Sequence, residues 1–188
     1  MTKREIIVVD VETTGLEVSR HTTVEVAWWH LGTGQRGRFV PPHRVSEVLS
    51  NADVSALRVN RYIDRLADAD QDHDGSGARE LADALHCNTL AGSNPAFDAR
   101  FLTSMFFDYE DCELAGLPTW HHRLLDLSAY AAGVLGLPPT ELPGLSTVCE
   151  LLEVTNAAPH TADGDVTATG NCFLELFARA VGSGQIPA

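Results

Sequence analysis

The stretch Asp10-Val11-Glu12-Thr13-Thr14-Gly15 follows the apolar run Ile6-Ile7-Val8-Val9. The run reads as a buried strand that ends in two carboxylates. Strand side chains at i and i+2 share a face, so Asp10 and Glu12 project together while Val11 packs behind them. Two acids at the end of a hydrophobic strand are costly unless a cation compensates them. A divalent metal is the obvious compensating group, because hard cations take carboxylate oxygens.

Two further segments hold groups of the right kind. Asn94-Pro95-Ala96-Phe97-Asp98 opens an apolar helical pattern through Phe97, Phe101, Leu102 and Met105. Asn94 suits an N-cap and Pro95 the first helical position. Asp98 then falls in the first turn, where the helix dipole favours a negative charge. Taken alone, Asp98 reads as a dipole-stabilising residue without chemistry. In His160-Thr161-Ala162-Asp163-Gly164-Asp165 the histidine lies on a loop, and Asp165 on the first turns of a helix with apolar positions Val166, Phe173, Leu176, Phe177 and Ala180. Taken alone, His160 reads as a surface histidine.

Jointly, Asp10, Glu12, Asp98, Asp165 and His160 resemble the residue set of the DEDDh family of 3′→5′ exonucleases. The similarity is to the DnaQ-like branch, which includes the epsilon proofreading subunit of bacterial DNA polymerase III. It rests on Val-Asp-Val-Glu-Thr-Thr-Gly-Leu at 9–16, Asn-x-x-Phe-Asp at 94–98 and His-x-Ala-x-x-Asp at 160–165, with Val24-Glu25-Val26-Ala27 similar to the family's second strand. The resemblance implies an α/β, RNase H-like fold: a five-stranded mixed sheet flanked by α-helices. It also implies two Mg²⁺ (or Mn²⁺) ions per active site, about 3.5–4 Å apart in such centres. Asp10 would bridge both ions, Glu12 and Asp165 would complete the site of the ion that carries the attacking water, and Asp98 would hold the second. His160 would act as general base, a role that suits an imidazole near neutral pH. Thr14, Gly15, Leu16, Asn94 and Phe97 would border the terminal nucleotide, Leu16 contacting its base. For Phe97 a core position is the preferred alternative, since aromatics are so often buried.

The implied activity is metal-dependent hydrolysis at single-stranded 3′ ends, releasing nucleoside 5′-monophosphates. Glu-Thr-Thr-Gly at 12–15 and Phe-Asp at 97–98 look more like the DNA-proofreading branch than the oligoribonuclease branch. DNA is therefore the expected substrate, with RNA trimming and a non-catalytic nucleic-acid- or polymerase-binding module as alternatives. The chain departs from many relatives in carrying Asn60-Arg61 where they have His-Gly, and Asn94-Pro95 where Asn-Ala is commoner.

The elements that must position these residues alternate along the chain. Residues 4–12 and Thr23–His30 read as strands, with Gln35–Val40 pairing after the turn Gly32-Thr33-Gly34. Short helical patterns occupy about 45–66. Ser76 is the expected N-cap of a helix through His86. Leu90–Gly92 and Arg123–Leu127 read as the fourth and fifth strands, and helices are expected near 128–135, 145–153 and 163–180. The exonuclease domain is expected over 1–181, with a flexible tail over 182–188.

Composition bounds the rest. A chain of 188 residues suits one domain with a sizeable core. No apolar stretch is long enough for a transmembrane helix, and the short run before Asp10 is not a signal peptide. Cys87, Cys112, Cys149 and Cys172 lack C-x-x-C spacing and read as free thiols of a cytoplasmic protein. The formal net charge of −13 is unfavourable for a long nucleic-acid footprint. Contact with only the last few nucleotides, or help from a protein partner, is expected. Arg36, Arg38, Arg44, Arg58, Arg61, Arg65 and Arg100 are candidates for a phosphate-contacting rim. Asp70-Gln71-Asp72-His73-Asp74-Gly75 matches the opening of a calcium loop, but the twelfth position is Leu81, so a solvated acidic loop is the preferred reading. His121-His122, with no second ligand pair at metal spacing, reads as a surface loop. Trp28 and Trp29 should face opposite sides of their strand, one in the core and one partly exposed.

Overall fold

Alternation along the first strand divides the molecule into two layers. The computed structural model describes residues 4–109 and 120–182. Strand β1 (Ile6–Thr13) sends Ile7, Val9 and Val11 into one apolar cluster and Val8 into another. It is the central strand of a five-stranded sheet. The other strands are β2 (Thr23–His30), β3 (Arg36–Phe39), β4 (Thr89–Gly92) and β5 (Leu125–Asp126), in the order β3-β2-β1-β4-β5. The β1–β2 and β2–β3 pairings are antiparallel, whereas β1–β4 and β4–β5 are parallel. Parallel pairing requires crossovers, and the helices provide them.

Helices α1 (Val45–Asn51), α2 (Val54–Val59) and α3 (Tyr62–Arg65) bring Val48, Tyr62 and Leu66 over Val24 and Val40 in a small third cluster. Helices α4 (Ser76–Leu85) and α5 (Pro95–Asp108) cover one sheet face through Leu81, Leu85, Phe101 and Phe106, with Trp28 beneath them. Helices α6 (Leu127–Leu135), α7 (Leu145–Leu152) and α8 (Ala162–Gly182) cover the other through Leu127, Val148, Val166 and Phe173. Full burial of each such side chain contributes about 1.5–3 kcal/mol.

The mixed five-stranded sheet with helices on both faces agrees with the fold expected. Several local expectations need correction. The fifth strand is only Leu125–Asp126, because Asp126 turns its carboxylate back to the Ser128 and Ala129 amides and starts α6. Ser76 is not the N-cap of α4. Gly75 holds that position with a left-handed backbone, and the cap is made by the acidic loop. Asp72 accepts from the Gly77 and Ala78 amides and from the Ser76 and Tyr109 hydroxyls, and Asp74 accepts from the Ser76 amide. Part of the supposed solvated loop is therefore a helix cap. Asn94 precedes α5 as expected, but in a left-handed conformation and without a side-chain cap bond.

Trp28 is buried, and Trp29 is partly exposed with the Arg36 guanidinium 3.7 Å from its ring centre. Cys149 and Cys172 are core thiols 3.7 Å apart, and Cys87 is exposed. Cys112 and the expected tail from 183 onward lie outside the described residues, while Gly182 closes α8. Among the described residues no helix is long and apolar enough to cross a membrane.

Candidate active site

The two sheet layers meet the carboxylates at the carboxyl ends of β1 and β4. Asp10 and Glu12 share one face of β1, as its alternation requires. The pairing with β2 slips by one residue immediately after Glu12, a bulge of the kind that bends a strand, before Thr13 pairs with Thr23. Asp165 approaches from the first turn of α8. Carboxylate oxygens of Asp10, Glu12 and Asp165 all lie within 4.8 Å of one another. Asp98 is 3% exposed on the first turn of α5, and its Oδ1 accepts the Val11 amide at 3.1 Å. That bond brings α5 against the strand residue between the other two acids.

Such a cluster is electrostatically unfavourable without a cation. Loss of solvation, reinforced by Asp98, Asp165, Glu12 and Glu25, pushes the Asp10 carboxyl well above the usual range. Desolvation and the neighbouring Asp165 and Glu25 raise Glu12 to about 7, against a lowering pull from Arg65. Burial raises Asp98 to about 7 although the Val11 amide opposes it. Asp165 is raised by burial, less so because Asn156 Nδ2 and the His160 amide donate to its two oxygens at 2.6 and 3.2 Å. An all-oxygen donor set of mutually repelling, poorly hydrated carboxylates fits hard divalent cations. Asp10, Glu12 and Asp165 are placed to hold one, with Asp98 close by.

The sequence matches the profile of the exonuclease family RNase_T over residues 7–173. The chain belongs to this DnaQ-like exonuclease family. No curated protein matches it by sequence. Among solved structures, E. coli Exonuclease I in complex with a dT13 oligonucleotide is similar, with a TM-score of 0.68 at 15% identity. That match covers 97% of this chain and 43% of the other. The zinc-bound E. coli Exonuclease I complex with single-stranded DNA gives 0.67 at 17% identity, covering 98% and 41%. A 3′-exonuclease with 3′-end-specific recognition of the histone mRNA stem-loop gives 0.63 at 12%, covering 96% and 65%. At these identities the likeness concerns the fold, and this exonuclease domain spans less than half of Exonuclease I.

The remaining expected residues of the exonuclease fall into two groups. His160 is exposed on the turn before α8, with a left-handed backbone and its amide on Asp165. Leu16 is 74% exposed at the tip of the loop after β1. Thr14 is buried, and its hydroxyl oxygen accepts the Thr22 amide, so its side chain closes the loop instead of facing outward. Gly15 is required there, because a Cβ would lie 2.5 Å from the buried His21 ring. Phe97 is partly buried, 4.7 Å between ring centres from Phe101, and packs on the core as preferred. Asn94 is exposed at the mouth of α5.

Of the seven arginines expected as a phosphate-contacting rim, Arg65 is half-buried and the other six, Arg58 and Arg100 among them, are exposed, several of them engaged by neighbours. Arg38 and Arg65 are both bound to Glu25, Arg36 lies on Trp29 and donates to Thr167, and Arg44 and Arg61 pair with Glu47 and Asp64. Glu25, expected only as part of the second strand and given no role, is completely buried in β2 directly opposite Glu12. A lone acid in the apolar run Thr23–His30 was the available signal. Asn156, which holds Asp165, carried no comparable signal.

Proposed function

We propose that this domain is a divalent-metal-dependent 3′→5′ exonuclease that trims single-stranded ends, DNA before RNA, and releases nucleoside 5′-monophosphates. The observation that carries the reading is the convergence of Asp10, Glu12 and Asp165, with Asp98 alongside, at one end of the sheet. Bound Mg²⁺ or Mn²⁺ ions, two per site, would neutralise the scissile phosphate and activate water. Asp10 would be shared between the two positions, Glu12 and Asp165 would serve the one on the attacking side, and Asp98 would serve the leaving side. His160 accepts the proton of the attacking water as its oxygen bonds to phosphorus. The bond to the preceding nucleotide's 3′ oxygen then breaks, and the terminal nucleotide leaves with the phosphate.

Leu16, exposed on a loop anchored by Gly15 and Thr14, would pack on the terminal base, with exposed Asn94 and the uncovered part of Phe97 bordering it. The preference for DNA is supported by the Glu-Thr-Thr-Gly and Phe-Asp motifs. Free thiols at Cys87, Cys149 and Cys172 suit a cytoplasmic setting. The acidic chain leaves room for a polymerase or another protein that supplies grip on longer nucleic acid.

The test is a gel time course on matched 5′-labelled single-stranded DNA and RNA with Mg²⁺, Mn²⁺ or EDTA. A metal-dependent ladder shortening from the 3′ end is expected, faster on DNA. Faster RNA shortening would replace the substrate with RNA. No cleavage by folded protein would favour a binding module.

A further inference from the structure

The charge on Glu25 is over-compensated. Its Oε1 accepts Arg38 Nε at 2.6 Å and Arg65 Nη2 at 2.8 Å, and its Oε2 accepts Arg65 Nη2 at 2.7 Å and the Ala162 amide at 3.1 Å. Burial disfavours the ionised form of Glu25, but the bonds from Arg65, Ala162 and Arg38 outweigh it and hold the carboxyl below the usual range. One buried negative charge thus faces two guanidinium groups, leaving a net positive charge beside the carboxylate cluster.

Arg65 does more than pair. Its side chain is 17% exposed, and its Nη1 donates to the Asn60 carbonyl at 2.7 Å and approaches the His160 carbonyl at 3.5 Å. Buried Asn60 in turn donates to the Thr13 carbonyl, next to Glu12. Arg65 therefore links the end of β1, the strand opposite it, and the turn that carries His160. A buried ion cluster is weakly stabilising at best compared with apolar packing, so stability alone is a poor reason for it.

We propose that Arg65 is a positioning residue for the exonuclease reaction, its fork fixing the His160 turn against the carboxylates through Glu25 and the backbone of 160–162. The inference rests on the function proposed above and adds a residue to it. A lysine keeps the charge but cannot span Glu25 and both carbonyls with one planar fork.

The experiment compares Arg65→Met and Arg65→Lys in the wild-type and His160→Ala backgrounds, with circular dichroism to confirm folding. In the wild-type background Arg65→Met should lower kcat roughly 10–100-fold with little change in KM, the scale of a misplaced catalytic group. Arg65→Lys should recover part of the rate. In the His160→Ala background the same substitutions should cost less than about threefold, because coupled residues are not additive. Equal losses in both backgrounds would overturn the proposal. Hydrogen exchange of the amides of Ala157, Ala158 and residues 160–162, measured on free protein, should quicken in both Arg65 variants. Unchanged exchange there would overturn the proposal even if the wild-type protein proved inactive, which would instead count against the function reading. Should Arg65→Met fail to fold, Arg65→Lys decides by the same two readouts.

Discussion

Asp10 stands among four other acids on a strand whose preceding residues are mostly buried, and burial and all four oppose its ionisation. Asp10→Asn should abolish hydrolysis and divalent-ion binding by calorimetry while leaving the circular dichroism spectrum unchanged. Retained turnover would contradict the assignment. Glu12 and Asp98, both raised to about 7, make the metal-free protein pH-sensitive. Their folded pKa values exceed the unfolded ones, so the folded state binds protons more tightly. That contribution to stability is complete below about pH 4 and is lost as the pH rises to about 7. Glu12→Gln should therefore raise the Tm in EDTA at pH 8 and change it little at pH 4, as a thermal scan at both pH values would check. His160→Ala should leave metal binding in place and cost roughly 10²–10⁴-fold in rate, the usual loss for a general base. An unaltered pH–rate profile in that variant would remove His160 from the role.

At the scale of elements, close approach matters as much as charge. A Cβ on Gly164 would collide with the Ala158 carbonyl, so this glycine lets the 158–160 turn lie flat against the start of α8. Gly164→Ala should displace that turn and lower kcat, with overpacking costing about 1–3 kcal/mol in denaturant titrations. Asp72→Ala should remove the α4 cap, costing about 1 kcal/mol, without altering nuclease activity. A calcium-dependent Tm in the wild type that vanishes in this variant would instead revive the metal-loop reading. The strands were legible where periodicity was strong: Thr23–His30 is found as expected, and β1 differs only at its ends. Legibility failed where side chains from a distance decide the local structure. Asp72 takes the capping role from Ser76, whereas the short helical patterns over 45–66 are found as three short helices that share one small cluster.

For the whole molecule, the engagement of arginines bears on how so acidic a chain would meet nucleic acid. Arg38 and Arg65 are held by Glu25, and Arg36 by Trp29 and Thr167, which leaves these three less free to follow a phosphate backbone. KM should depend weakly on salt, with a log–log slope below about 2, and change little between short and long single strands. A steep slope measured from 50 to 200 mM salt would reveal a basic track. That Asp10, Glu12, Asp98 and Asp165 come together was readable because strand period, helix starts and family order all pointed one way. Glu25 with Arg38 and Arg65 was not, since its partners lie 13 and 40 residues away and no local pattern joins them. The same long-range assembly has a consequence for biosynthesis. Asp10 leaves the ribosome well before Asp165 and the Ala162 amide that completes the Glu25 cluster, which arrive only with α8. A nascent chain from which α8 has not yet emerged cannot form the carboxylate cluster, so the proposed centre stays unarmed near messenger RNA and DNA until that helix is made.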